Sequence, residues 1–233
     1  MMNVTVHQAK KTVGKRTILD VQDLFFPDAS IVMVIGPNGA GKTTLLQTIS
    51  NIDTTSFRDI SYEDQKQLSL TQVNHMVQHS YLFDLSVEEN LQWGGRNLPD
   101  SQSRIETLIE KLDLTSLRKE KCRNLSGGEA QKVAFARTIL SEKPLIILDE
   151  PTSAMDVAAT KRCEELILTL NRDKGINFIM TTHNPSQALR IGSHILIMDQ
   201  GKVVEAGSPQ HFLHEPLDPI ASAYLENWRL THV

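Results

Sequence analysis

The segment Gly36-Pro37-Asn38-Gly39-Ala40-Gly41-Lys42-Thr43 constrains this chain more than any other. It follows directly on Ile31–Ile35 (IVMVI), a run without a single polar side chain. Such a run is the pattern of a strand covered on both faces, as in a parallel sheet. After the loop, Lys42–Ser50 reads as a helix with Leu45, Leu46 and Ile49 on one side. Strand, glycine-rich turn and helix start together make an anion cradle. The glycines let successive backbone N–H groups point inward, and the helix N-terminus adds the positive end of its dipole. In this pattern Lys42 reaches the β- and γ-phosphates of a nucleotide and the Thr43 hydroxyl binds Mg²⁺. An ordinary glycine-rich turn with an exposed lysine is the competing reading, and two correct flanks count against it.

The remainder of the chain alternates around that unit. VTV (Val4–Val6) and ILDVQDLFF (Ile18–Phe26) read as strands ending in the turn formers Pro27 and Asp28. PLIILD, INFIMTTH and HILIMD read as buried strands. Val157–Asn171 reads as a helix with Cys163, Leu166, Ile167 and Leu170 on one face, and Pro185–Ile191 as a short one. Asp199-Gln200-Gly201 turns into KVVEAG as a hairpin. Strand–helix alternation implies βαβ units. From about Ser86 to Leu140 the periodicity is helical throughout, which reads as an insert. Three Ser-x-x-Glu pairs, Ser86/Glu89, Ser103/Glu106 and Ser126/Glu129, mark helix starts as capping boxes.

Composition narrows the function classes. The 233 residues carry 24 Lys+Arg against 28 Asp+Glu, so no basic excess points to nucleic acid. The longest apolar run is Ile31–Ile35, far short of the ~20 residues that span a bilayer. The N-terminus lacks the apolar stretch of a secretory signal, and Cys122 and Cys163 have neither pairing nor metal spacing, as in a reducing cytosol. The basic cluster Arg118, Lys119, Lys121, Arg123 reads as a solvated turn. His211 and His214 in the tail make two ligands without a third.

Two further motifs carry chemistry. Asp149 and Glu150 end the buried strand LIILDE, where open α/β sheets bind ligands. There Asp149 is placed to hold Mg²⁺ and Glu150 to polarise an attacking water. Alone, the pair reads equally as solvated loop carboxylates. LSGGE (Leu125–Glu129) puts a capping Ser126 before Gly127 and Gly128, whose uncovered N–H groups form a second helix-end anion site. On the residues alone a plain capped helix is the simpler reading. If both sites take one nucleotide, a partner chain supplies one of them, in head-to-tail pairing.

GPNGAGKT, LSGGEAQKVAFAR and LIILDEPTSAMD in this order resemble the ATP-binding cassette (ABC) ATPases, the nucleotide-binding subunits of ABC transporters, from about Val4 to Tyr224. The resemblance implies an α/β fold of the P-loop NTPase (RecA-like) type. Its sheet is mainly parallel, with N-terminal antiparallel strands and an inserted α-helical subdomain. One domain spans 1–233, with a core lobe of about 1–78 and 141–233 and a helical signature subdomain of about 79–140. Gly36–Thr43 resembles the Walker A loop, with Thr44 among the nucleotide-binding residues. Ser126, Gly127 and Gly128 lie in the signature motif, Asp149 resembles the Walker B aspartate, and Glu150 the catalytic base. Asp156 is similar to the D-loop aspartate that communicates across a dimer. His183 resembles the switch histidine that contacts the γ-phosphate. Gln78 resembles the Q-loop glutamine that links Mg²⁺ and water to the membrane partner.

The resemblance further implies an ATPase using ATP and Mg²⁺, paired with a second copy of itself. It docks on integral membrane permease subunits at the cytoplasmic face of the membrane. The tail GKVVEAGSPQHFLHEPLDP is similar to those of bacterial or archaeal importers, which also implies a solute-binding protein. An exporter subunit and a soluble ABC ATPase without transport are the alternatives. Neither coiled-coil arms nor a second cassette is present, and no Asn-Lys-x-Asp base reader points to a GTPase. The helical insert and the Gln78 region, with Tyr81, Leu82 and Phe83, are the expected dock.

Three positions depart from the family's pattern. Val13 stands where an aromatic normally stacks on adenine. Asp28–Ser30 replaces a Gly-Glu turn. No glycine occurs between Lys42 and Trp93, so Thr54–Leu70, where a β-hairpin is usual, reads as irregular.

Overall fold

The computed structural model describes residues 2–53, 55–63, 72–214 and 216–231. Val4–Val13 (β1) and Arg16–Phe26 (β2) pair antiparallel from Val4↔Phe26 to Val13↔Arg16. The hairpin turn is Gly14-Lys15, with Gly14 at φ 61°, the first central position where a primed turn needs glycine. Five residues later, Ile31–Ile35 (β3) runs into the glycine-rich loop and Lys42–Ile49 (α1).

Phe57–Tyr62 (β4) corrects one expectation, because it is a regular strand where irregular chain was expected. It pairs antiparallel with β1, Val4 opposite Tyr62 and Val6 opposite Ile60. Ile60 and Tyr62 are buried while Phe57 and Asp59 are exposed. This period-2 alternation suffices for a strand, and its partner is distant in sequence, so no glycine turn is required. Thr54 and residues 64–70 of the same stretch lie outside the described residues.

Val73–Met76 (β5) opens the second sheet, and three helices follow: Val87–Gly95 (α2), Ser101–Lys111 (α3) and Gly127–Ile139 (α4). Ser86 and Ser126 cap α2 and α4 in complete capping boxes with Glu89 and Glu129. The third pair, Ser103/Glu106, forms none. Helix α3 begins earlier, with Asp100 at the cap position and no side-chain bond to it. Pro99 restricts Leu98 to non-helical backbone, so the chain turns before Ser101. Glu106 instead accepts from Arg118, with Arg118 Nη1 at 2.8 Å.

The chain then alternates as Leu145–Leu148 (β6), Val157–Lys174 (α5), Asn177–Thr181 (β7), Pro185–Ile191 (α6), His194–Asp199 (β8) and Lys202–Gly207 (β9). Pro209–His214 (α7) and Pro219–Thr231 (α8) finish it. The sheet order is β5-β6-β7-β3-β8-β9, parallel except for the β8–β9 hairpin.

Strand β3 shows why the interior run is wholly apolar. Val32 and Val34 face one cluster with Leu45, Leu46 and Ile49 of α1 and with Val6, Leu19 and Tyr62 of the antiparallel sheet. Ile31, Met33 and Ile35 face the other, with Leu91, Ile105, Phe135, Ile167 and Phe212 of the helices. Both faces are covered, so no alternation with polar residues is possible. No helix among the described residues is long and apolar enough to cross a membrane.

Phe135 is among the largest fully buried side chains. Phe135→Ala is expected to lower unfolding free energy by about 3–5 kcal/mol in urea titrations. A loss below ~1 kcal/mol would show that α4 is not packed on this sheet face as described.

Candidate phosphate-binding site

The carboxyl ends of β3, β6 and β7 and the chain just after β5 bring the sequence motifs together. The loop after β3 is shaped by contacts that exclude side chains. Gly36 has φ 142°, and a Cβ there would lie 2.1 Å from the carbonyl oxygen of Met198. Gly41 has φ 99°, and a Cβ there would lie 2.8 Å from the carbonyl oxygen of Ile18. The loop is therefore squeezed between β8 and β2, in backbone conformations that favour glycine.

Helix α1 starts from Gly41 with no side-chain cap. The helices starting at Ser86, Ser126, Asp156 and Asn184 are all capped by those residues' side chains. The first N–H groups of a helix have no carbonyl one turn back. At α1 nothing in its own cap position serves them, so they are left for a ligand at the positive end of the dipole.

Lys42 is buried, and its ammonium donates to the carbonyls of Gly36 and Pro37 at 2.8 and 3.0 Å. Burial lowers its pKa, and the carboxylates of Glu150 and Asp149 oppose that shift. Asn38, Gly39, Ala40, Gly41, Lys42, Thr43 and Thr44 line a cavity of about 560 Å³ together with Gln78, Glu150, Arg16 and Ile18.

Asp149 is almost fully buried. Its Oδ1 accepts from the Thr181 hydroxyl at 2.6 Å, and its Oδ2 has no hydrogen-bond partner. A buried carboxylate oxygen without a donor is costly. It is aimed for a cation, and one carboxylate beside hydroxyl and phosphate oxygens suits Mg²⁺. Among the described residues no group of three His, Cys, Asp or Glu could hold a metal by itself.

Glu150 adopts φ 49°, a left-handed conformation that costs a non-glycine residue ~1–3 kcal/mol. Hydrogen bonds to its backbone hold it there, one of them from Ser153 Oγ to its carbonyl at 3.2 Å. Its N–H donates to Thr181 Oγ1 at 2.8 Å, and its carbonyl accepts from Gln131 Nε2 at 2.9 Å. Gln78 Nε2 donates to Glu150 Oε2 at 3.2 Å, and His183 Nδ1 lies 3.8 Å from the same oxygen. Gln78 and His183 thus converge on Glu150. His183 is exposed and lines an adjoining cavity, not the one under the phosphate loop.

Ser126, Gly127 and Gly128 are held apart from that loop. They do not line its cavity, and Gly128 instead packs on Ala154, whose carbonyl oxygen lies 2.7 Å from where a Cβ would be. Gln131, one turn along α4, donates to Ser153 Oγ at 3.0 Å and accepts from the Ala154 N–H at 2.8 Å. Asp156 caps α5 through Oδ1 and the Ala159 N–H at 2.7 Å. It too is absent from the phosphate-loop cavity.

Three neighbours of the site carry no motif. Thr181 bridges Asp149 and Glu150, and its signal in the sequence is a hydroxyl closing the apolar run Phe178–Met180. Gln131 stands two residues past the LSGGE motif. Tyr224 of α8 is raised by burial, opposed by a hydrogen bond from the Gly36 backbone, and lies in electrostatic reach of Glu150.

A phosphate-sized anion cradle, a buried lysine and a cation-seeking aspartate at the ends of a parallel sheet define a P-loop nucleotide-binding fold. Residues 19–153, more than half of the chain, match the ABC transporter family model. The chain belongs to the ABC transporter family. It is 36% identical over 210 residues to the tungstate uptake system ATP-binding protein TupC of Peptoclostridium acidaminophilum, covering 88% of this chain and 98% of that protein. To the sulfate/thiosulfate import ATP-binding protein CysA of Nitrosomonas europaea it is 28% identical over 244 residues, covering 99% and 67%. To the spermidine/putrescine import ATP-binding protein PotA of Bacillus anthracis the figures are 29% over 222 residues, 91% and 68%. The ATP-binding cassette MJ0796, solved as a dimer in a post-hydrolysis state with ADP and Pi, superposes with a TM-score of 0.76 at 21% identity, covering 90% of this chain and 99% of that one.

Thr181→Val keeps the shape of the side chain and removes the hydroxyl between Asp149 and Glu150. It leaves a buried acceptor and a donor unpaired, an expected loss of about 1–3 kcal/mol in chemical denaturation. Unchanged stability would mean that the bridge does not hold this turn.

Proposed function

We propose that the chain is an ATPase that energises solute import through a separate membrane permease, acting as a pair of identical subunits. One observation carries the pairing. The phosphate loop and the signature residues open two helices that line different cavities in one chain. In the pair, ATP lies between Gly36–Thr44 of one subunit and Ser126, Gly127 and Gly128 of the other, with Asp156 at the contact between them.

The roles follow from the chemistry of each group. Backbone N–H groups at the start of α1 and the Lys42 ammonium take the β- and γ-phosphates, for which Lys42 leaves its carbonyl partners. Thr43, Gln78 and Asp149 Oδ2 would hold Mg²⁺, which draws charge from the phosphates when bound. Glu150 accepts the proton of the attacking water as its oxygen bonds to the γ-phosphorus and the bond to ADP breaks. Gln78 and His183, both close to Glu150 Oε2, hold that carboxylate and report the γ-phosphate.

The permease reading is supported by an exposed aromatic group beside Gln78. Tyr81 and Phe83 have ring centroids 6.0 Å apart, and Phe83 and Trp93 5.2 Å apart. Arg96 lies over the Trp93 ring at 4.6 Å. Aromatic and arginine side chains exposed together suit a protein partner. The relatives named for uptake and import support the direction, and a solute-binding protein would deliver the cargo to the permease. The cargo itself meets none of these residues.

The test is Glu150→Gln. With ATP it is expected to elute as a stable dimer and to turn over about 10²–10⁴-fold more slowly than the unaltered chain. A variant that stays monomeric with ATP and hydrolyses at the normal rate would refute the assignment.

A further inference from the structure

We propose that Arg16 is the platform on which the nucleobase stacks, in place of an aromatic side chain. This rests on the nucleotide reading above and concerns the other end of the same site.

Topology gives the cavity a direction. Gln78 and Glu150 come from β5 and β6, on one side of β3 in the sheet. Arg16 and Ile18 come from β2, which packs against β9 at the opposite side of β3, with the Asp20 N–H donating to Gly201 O at 2.8 Å. All four line the cavity under the phosphate loop. With the terminal phosphate at Glu150, the rest of the nucleotide extends toward Arg16 and Ile18.

The lining of that end is informative. The β1–β2 register slips between Thr17 and Leu19, leaving Ile18 as the extra residue of a bulge, and Arg16 and Ile18 both line the cavity. Val13, directly across the hairpin from Arg16, is exposed and offers only an aliphatic edge. Arg16 is exposed and makes no ion pair with any described residue, although most other arginines near carboxylates do, as with Arg118 and Glu88 or Arg190 and Glu164. A guanidinium is planar and weakly hydrated, and it stacks on π faces as well as pairing with anions. Beside a half-buried Ile18, it offers a flat cationic group to that end of the cavity. Neither residue reads a hydrogen-bonding edge of the base, so adenine and guanine are held about equally.

Equilibrium binding of ADP, GDP and pyrophosphate to the whole chain tests this, because pyrophosphate keeps the phosphates and lacks the base. The unaltered chain is expected to bind ADP and GDP within about threefold of each other, as stacking without edge contacts discriminates weakly. Arg16→Ala is expected to weaken both nucleotides by about five- to thirty-fold and pyrophosphate by less than about twofold. Arg16→Lys, which keeps the charge and loses the plane, is expected to behave like Arg16→Ala. In steady state Arg16→Ala raises KM for ATP and leaves kcat unchanged. Equal weakening of pyrophosphate, rescue by Arg16→Lys, or unchanged nucleotide binding in Arg16→Ala each overturns the proposal while leaving the nucleotide site intact. An unaltered chain that binds neither ADP nor pyrophosphate overturns the nucleotide reading itself.

Discussion

The carbonyl oxygens of Met198 and Ile18 leave room between them for backbone and nothing larger, and the phosphate loop occupies that gap. Gly36 meets one and Gly41 the other. The same Ile18 carbonyl lies 2.7 Å from where Gly201 would carry a Cβ, and the Gly201 N–H donates to Ala40 O at 2.9 Å. Three segments distant in sequence are thus clasped at one point: the N-terminal hairpin, the loop, and the β8–β9 turn. Because the clasp uses backbone atoms, the loop's curl is set by the sheets around it and not by its own side chains. That leaves the loop lining a cavity, its curl preorganised for phosphate oxygens.

Charge at the site is arranged to be incomplete. Lys42 is stripped of water and satisfied by two carbonyls, and Asp149 holds one oxygen without a donor. Each is a deficit that an anion or a cation removes. Thr181 ties the two acidic residues together, donating to the Asp149 carboxylate and accepting from the strained Glu150 N–H, so one hydroxyl fixes the first side chain and the second backbone. The left-handed backbone at Glu150 turns its side chain away from Asp149 and toward Gln78 and His183. Strain held by surrounding hydrogen bonds is a common way to keep a reacting group in place.

Local pattern made the strands, the phosphate loop, two of three capping boxes and the acidic pair legible in sequence. Each depends on residues within one turn or one strand. The failures share a cause. Ser103/Glu106 has the spacing of a cap, but Pro99 had already set the start of α3. Phe57–Tyr62 lacked a neighbouring partner and a glycine turn, yet it pairs with β1 across more than forty residues. At LSGGE, the absence of a side chain at Gly128 also admits the Ala154 carbonyl, a contact that no local pattern encodes. Thr181 and Arg16 matter through what the fold brings against them, which no spacing rule encodes. Val13 departs from the family's aromatic, and the cavity is lined instead by Arg16, three along and after the turn.

Gln131 carries the last step of the synthesis. It stands on the helix whose N-terminus is the signature site, and both ends of its amide are used on the chain's own acidic loop, at Glu150, Ser153 and Ala154. In the proposed pair, the signature end of α4 meets the nucleotide bound by the other subunit. Each subunit's Glu150 backbone is then held by the helix that senses its partner's ATP. A shift of α4 would lengthen one of the bonds to the Glu150 carbonyl, which Ser153 Oγ also reaches at 3.2 Å. In that pair Gln131, beside Ser153, would link the signature end of α4 to the backbone of the general base.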